Sequence, residues 1–322
     1  MRKKILLISF LLSLPFWWGM NVLARNLEDL FFFQRIANDP ELFTASIYQE
    51  TNLQKIKALK YKVQDLEIKA RAAISVEIDK EGHEKLLFEK NSKESRPIAS
   101  LTKLMTALVV FDLKETYNLQ QSIKITKTAV GQEEKYGNLK EGEELSVRSL
   151  LYVTLIESSN DAAYALSELI GQEAFVELMN FYVKELNLEN THFWNSTGLE
   201  PDDPAGPQNY STTQDLVKLS KYILEEYPQI FEITNIYSYE VFKPDGSLHH
   251  FIPENTNKLL LEIPEIMGGK TGWGPEAGGC LLTVLKDPRR DSYFINVILG
   301  AGDRFGEMKR IIEQVNNIPL LK

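Results

Sequence analysis

Cysteine is almost absent from this chain: Cys280 is the only one in 322 residues. No internal disulfide can staple the fold, so its stability has to come from a packed core. Histidine is scarce as well. His83, His192, His249 and His250 occur without an H-E-x-x-H or comparable spacing, which argues against a zinc centre. No G-x-S-x-G is present, so a Ser-His-Asp hydrolase lacks its nucleophile turn. Basic residues are outnumbered 36 to 45, for a net charge of −9, and no Lys/Arg cluster lies beyond the first few residues. A nucleic-acid partner is therefore not expected. Internal repeats and low-complexity segments are also missing.

What remains is ordinary globular composition, 43% hydrophobic and 25% charged, in a length that suits one large domain with an appendage, or two domains. After "MRKK", residues 5–24 (ILLISFLLSLPFWWGMNVLA) carry no charge. About 20 apolar residues can span a bilayer, and the basic residues ahead of them place the N-terminus inside. The sequence "VLA" at 22–24 also reads as a signal-peptide cleavage site, so both an anchor and a cleaved leader stay open. The length of the run and the interfacial character of Trp17 and Trp18 favour the anchor. Either way the body is expected outside the cytoplasm. Residues 25–70 have the helical periodicity of a connector or stalk, leaving 71–322 as the functional domain.

In that domain "AAISVEID" and "KLLFEK", joined by "KEGHE", predict a β-hairpin. Residues 104–230 read as mainly helical, with a capping box of Ser211 and Gln214 opening one helix. Strands return after "MGGKTG" and flank the turn "KDPRRD", and a last helix is expected over 304–316. Strands at both ends with helices between them predict one α+β domain.

One stretch resists this bland reading. In "RPIASLTKLMTALVV" (96–110) a lysine stands near the start of an apolar helix, where burial and the helix dipole both oppose a cation. By itself Ser100-x-x-Lys103 also describes a helix cap followed by a snorkelling lysine. The chemical alternative is a lysine that gives up its proton and serves as base to a serine one turn away. Ser158-Ser159-Asn160 interrupts another apolar helix, and Lys270-Thr271-Gly272 precedes a strand. Either could be a plain polar turn.

Together, S-x-x-K, S-x-N and K-T-G in this order resemble the signature of the serine penicillin-binding enzymes. The likeness is greatest to the low-molecular-mass D-alanyl-D-alanine carboxypeptidases, and extends through "NTHFWNSTGL", "NYSTTQDLVKLSKYIL" and "VILGAGDRF". It implies the DD-peptidase fold, a central antiparallel sheet flanked by helices plus a mainly helical subdomain. Ser100 would be the acylated nucleophile and Lys103 its base. Ser158 would relay a proton to the leaving D-alanine, and Asn160 would hold the substrate amide or Lys103. Lys270 and Thr271 would bind the terminal carboxylate or tune the relay, with Gly272 completing the motif. The N–H groups of Ser100 and Trp273 would form the oxyanion hole, and Arg304 would stand near the carboxylate site. No cofactor or metal is implied. The expected partners are peptidoglycan stem peptides ending in D-Ala-D-Ala, with β-lactams as covalent inhibitors and the membrane reached through the N-terminal segment.

Two departures from the family pattern stand out. Ser159 replaces the usual glycine of S-x-N, and Trp273 brings bulk to the residue after K-T-G. Ending at Lys322, the chain is without the β-rich second domain of many relatives, and the N-terminal run is expected to take over anchoring. A DD-endopeptidase reading stays open. A class A β-lactamase is disfavoured because Val183 stands where its deacylating glutamate would be. A non-catalytic stem-peptide binder is disfavoured because no motif serine or lysine is lost. Cys280, in an apolar strand pattern without a nearby histidine, reads as a small hydrophobe rather than a nucleophile.

Overall fold

Strand β1 (Ala72–Ile78) is buried along its whole length, and the reason is that both faces of its sheet are covered. Ile74, Val76 and Ile78 point into the larger core, while Ala73 points into a second, smaller one. The computed structural model describes residues 66–316, apart from 133–135, 204, 288 and 290. The anchor or leader expected at 1–24 and nearly all of the stalk expected at 25–70 lie outside the described residues. Among those described, no helix is long and apolar enough to cross a membrane.

The predicted hairpin forms, with β1 returning as β2 (Glu84–Lys90). Three further strands come from the far end of the chain: β3 (Ile266–Gly274), β4 (Gly278–Asp287) and β5 (Ser292–Ala301). The sheet is antiparallel throughout, in the order β2-β1-β5-β4-β3. Alternation explains the unbroken apolar runs of β4 and β5. Leu281, Leu285, Phe294 and Ile298 face the smaller core, and Leu282, Val284, Ile295 and Val297 the larger.

Helices complete both layers. They are α1 (Thr102–Asp112), α2 (Val147–Tyr152), α3 (Asn160–Glu168), α4 (Gln172–Glu185), α5 (Thr213–Glu226), α6 (Gln229–Thr234) and α7 (Arg304–Asn316). The last has the expected bounds, and its Met308, Ile311, Ile312 and Val315 close the smaller core. Helix α1 is buried from Thr102 to Val110, as befits a helix that is apolar all round.

Two local expectations need correction. The cap of α5 is Thr212, whose side chain accepts from the Asp215 N–H, and not Ser211. Ser211 is occupied elsewhere: its backbone pairs with Arg96 and its hydroxyl bonds Thr191. The mainly helical region also contains the strand pair Ser122–Lys124 and Glu144–Ser146. The interruption read at Ser158-Ser159-Asn160 is present: α2 runs into a π turn (Val153–Glu157), and Ser158 takes up a left-handed backbone before α3 starts.

Candidate active site

Ser100 sits not inside α1 but in the tight 3-10 turn Ala99–Leu101 immediately before it. Ala99 takes up the left-handed region, φ 44°. Two neighbours hold this turn. Asn209 accepts from the N–H groups of Trp194 and Asn195, and donates from Nδ2 to Thr102 Oγ1 at 3.0 Å. Gly198, itself at φ +82°, presses so closely that an added Cβ would fall 2.1 Å from the Ala99 carbonyl oxygen.

Lys103, on the first turn of α1, is fully buried. Its Nζ lies 2.9 Å from Ser100 Oγ, 2.6 Å from Asn160 Oδ1 and 2.6 Å from the Thr197 carbonyl. Asn160 reaches it because it opens α3, which Ser159 caps by accepting from the Ala162 N–H. The serine found in place of the family's glycine thus has partners of its own, since its hydroxyl also donates to the Tyr136 carbonyl at 2.9 Å.

A second lysine lies beside the first. Lys270 of β3 is buried, and its Nζ donates to Ser158 Oγ at 2.7 Å and to the Thr271 carbonyl at 3.2 Å. Ser158 presents its hydroxyl from a left-handed backbone, φ 68°. Burial, then the positive charges of Lys103 and Arg304, hold the Lys270 ammonium well below the ordinary lysine range. Thr271 Oγ1 donates to Thr256 Oγ1 at 2.7 Å, and Arg304 Nη1 donates to the Gly272 carbonyl at 2.6 Å.

These residues converge on a groove of about 700 Å³ whose walls include Ser100, Ser158, Asn160, Thr271, Trp273 and Arg304. Gly272 also lines it, while Lys103 and Lys270 lie beneath its surface, outside the lining. Trp273 is 69% exposed at the rim. Glu200 braces the turn after β3 by accepting from the Glu276 and Ala277 N–H groups. Cys280 is buried, and burial pushes its thiol up to about 11, which suits an inert core side chain. A grouping of Asp79, Glu81 and His83 has metal-ligand character. It lies on the exposed β1–β2 turn, and none of the three lines the groove.

Sequence reasoning gave no role to Thr197, Thr256, Asn209 or Glu200. Thr197 acts through a backbone carbonyl, which leaves no side-chain signal. Asn209 was an ordinary polar residue in a segment noticed for its family likeness, and Thr256 and Glu200 lie in stretches that carried no motif.

Comparison with known proteins places the fold and the family. The family model for D-alanyl-D-alanine carboxypeptidase matches residues 59–303. The D-alanyl-D-alanine carboxypeptidase DacF of Bacillus subtilis is 33% identical over 243 residues, 74% of this chain and 59% of that protein. A D-alanyl-D-alanine endopeptidase of Escherichia coli is 31% identical over 202 residues, 62% of each chain. The chain thus spans about three fifths of the length of these curated relatives. Penicillin-binding protein D2 of Listeria monocytogenes, solved with ampicillin bound, superposes with a TM-score of 0.64 at 29% identity, covering 78% of this chain and 98% of that one. The match over residues 59–303 covers most of the chain, and the chain belongs to the D-alanyl-D-alanine carboxypeptidase family.

Proposed function

We propose that this protein is a serine DD-carboxypeptidase that removes the terminal D-alanine from peptidoglycan stem pentapeptides. One observation carries the reading: Lys103 Nζ is fixed 2.9 Å from Ser100 Oγ by two carbonyl oxygens. Lys103 serves as base in its neutral form, with N–H groups directed at Thr197 O and Asn160 Oδ1 and the lone pair facing the Ser100 hydroxyl; its protonated form is the one whose charge bears on Lys270.

In the forward step Ser100 Oγ bonds to the carbonyl carbon of the penultimate D-alanine as its proton passes to Lys103. The N–H groups of Ser100 and Trp273 take the oxyanion. The C–N bond then breaks, the departing amine receives a proton through Ser158, and water releases the acyl-enzyme. Buried under the groove and bonded to Ser158, Lys270 tunes this relay rather than gripping substrate. The free carboxylate falls to Thr271 and Arg304, which do line the groove, with the guanidinium as the permanent charge. β-Lactams, which mimic the scissile bond, acylate the same serine.

The wider architecture is part of the proposal. Residues 71–322 form the catalytic domain on the outer side of the membrane, residues 25–70 the stalk, and the uncharged run at 5–24 the anchor. Benzylpenicillin labelling followed by intact mass, together with D-alanine release from a pentapeptide, tests the reading. Ser100→Ala is expected to abolish both while the protein stays folded, and residual labelling of that variant would overturn it. Release of D-alanine only from cross-linked peptide dimers would move the assignment to an endopeptidase, the activity named for the Escherichia coli relative.

A further inference from the structure

The strand Leu248–Ile252, half of a hairpin with Tyr239–Phe242, carries a contact pattern that the reaction above does not use. His249 and His250 meet through their Nδ1 atoms at 2.6 Å. The outer nitrogen of each faces a carboxylate. His249 Nε2 lies 3.0 Å from Glu143 Oε1, and His250 Nε2 lies 3.2 Å from Glu157 Oε2. Both imidazoles are nearly dry, with side-chain exposures of 4% and 8%.

A carboxylate only accepts, so each Nε2 that faces one donates to it, and the central Nδ1–Nδ1 contact links the two rings into one chain from Glu143 to Glu157. Lys243 also stands at the cluster, 3.9 Å from Glu143 Oε2. Glu143 Oε1 also accepts the Lys140 N–H at 2.6 Å. Arg148 and Tyr152 of α2 and Tyr239 of the hairpin form a stack of their own, and Glu144 and Glu240 are exposed.

What matters is what the pair grips. Glu157 immediately precedes Ser158 and its left-handed backbone. Beyond the hairpin, Thr256 donates its N–H to the Ile156 carbonyl at 3.2 Å and accepts from the Thr271 hydroxyl. Residues 156 and 157 are therefore fastened from one segment, at a carbonyl and at a carboxylate. We propose that His249 and His250 are positioning residues. By bridging Glu143 and Glu157, they hold the Ser158 turn and the Thr256–Thr271 wall where Lys270 can reach Ser158. The inference rests on the reading of Ser158 as proton relay.

The test compares His250→Ala, which removes the donor to Glu157, with His250→Gln, which keeps an N–H there. Amide exchange across residues 156–160 and the rate of benzylpenicillin acylation are measured on the full chain, with thermal melts confirming that both variants fold. His250→Ala is expected to exchange faster in that segment and to acylate about tenfold more slowly. His250→Gln should recover most of the rate and of the protection. Unchanged exchange with a wild-type rate would overturn the proposal. Altered exchange in a protein whose wild type never acylates would support the clamp and sink the functional reading instead.

Discussion

A Cβ placed on Gly272 would sit 3.1 Å from the backbone nitrogen of Ser100, and 3.0 Å from the Ile98 carbonyl oxygen. Strand β3 and the nucleophile turn are thus packed backbone to backbone, and the glycine of K-T-G is what lets them meet. Gly272→Ala has to push the turn away by a few tenths of an ångström. Its acylation by benzylpenicillin should slow by about tenfold, with a small change in melting temperature. Gly198→Ala, whose Cβ would meet the Ala99 carbonyl oxygen at 2.1 Å from a positive φ, should instead lower the melting temperature strongly. Equal effects of the two on melting would contradict this division.

Lys103→Arg tests the base. A guanidinium does not deprotonate in proteins, and the buried site leaves no room for its larger head. The acylation rate should fall by between roughly 10² and 10⁴. Lys103→Met, similar in length and uncharged, controls for folding, and near-normal acylation by either variant would remove Lys103 from that role.

Lys270 predicts a dependence of stability on pH. Its native ammonium is held well below the ordinary lysine range, so between the native and the unfolded values the unfolded chain binds more protons than the folded one. Stability contributed at this position therefore rises with pH through that window. Relative to Lys270→Met, wild type should gain stability as the pH rises towards about 10, as read from paired thermal melts. A difference that stays flat would show that the native lysine keeps its ordinary charge.

Asn209 bonds the Trp194 and Asn195 N–H groups, Thr102 Oγ1 and the Asn195 carbonyl. Asn209→Ala leaves several of these groups buried without partners, and should cost about 3 kcal/mol in urea unfolding. Acylation per folded molecule should fall as well, because the turn carrying Ser100 loses its brace.

The sequence made legible whatever depends on neighbours in the chain. The alternation of Ile74, Val76 and Ile78 predicted a strand, and the helix bounds at Arg304 and Asn316 follow from a local pattern. The three motifs were visible because the chemistry needs those side chains. The rest depends on partners remote in sequence. Ser211 satisfies every local rule for a cap, yet Thr191, 20 residues away, takes its hydroxyl. The acceptor that fixes Lys103 from Thr197 lies 94 residues on, in a backbone group that every residue possesses. The break at Ser158 is likewise set by contacts to Lys270 and Thr256, and nothing in "LIESSNDAA" announces them.

The order of the sheet bears on how the groove is assembled. β1 pairs not with the next strands synthesised after its hairpin but with β5, in a register that sets Ala72 opposite Leu299. Closing so long a loop is slow compared with forming helices. Until it closes, β1 offers an open apolar edge, and Ser100 and Lys103 wait without Lys270 and Arg304. Nascent or truncated chains therefore hold Ser100 and Lys103 without the full groove, and the groove is completed late in folding.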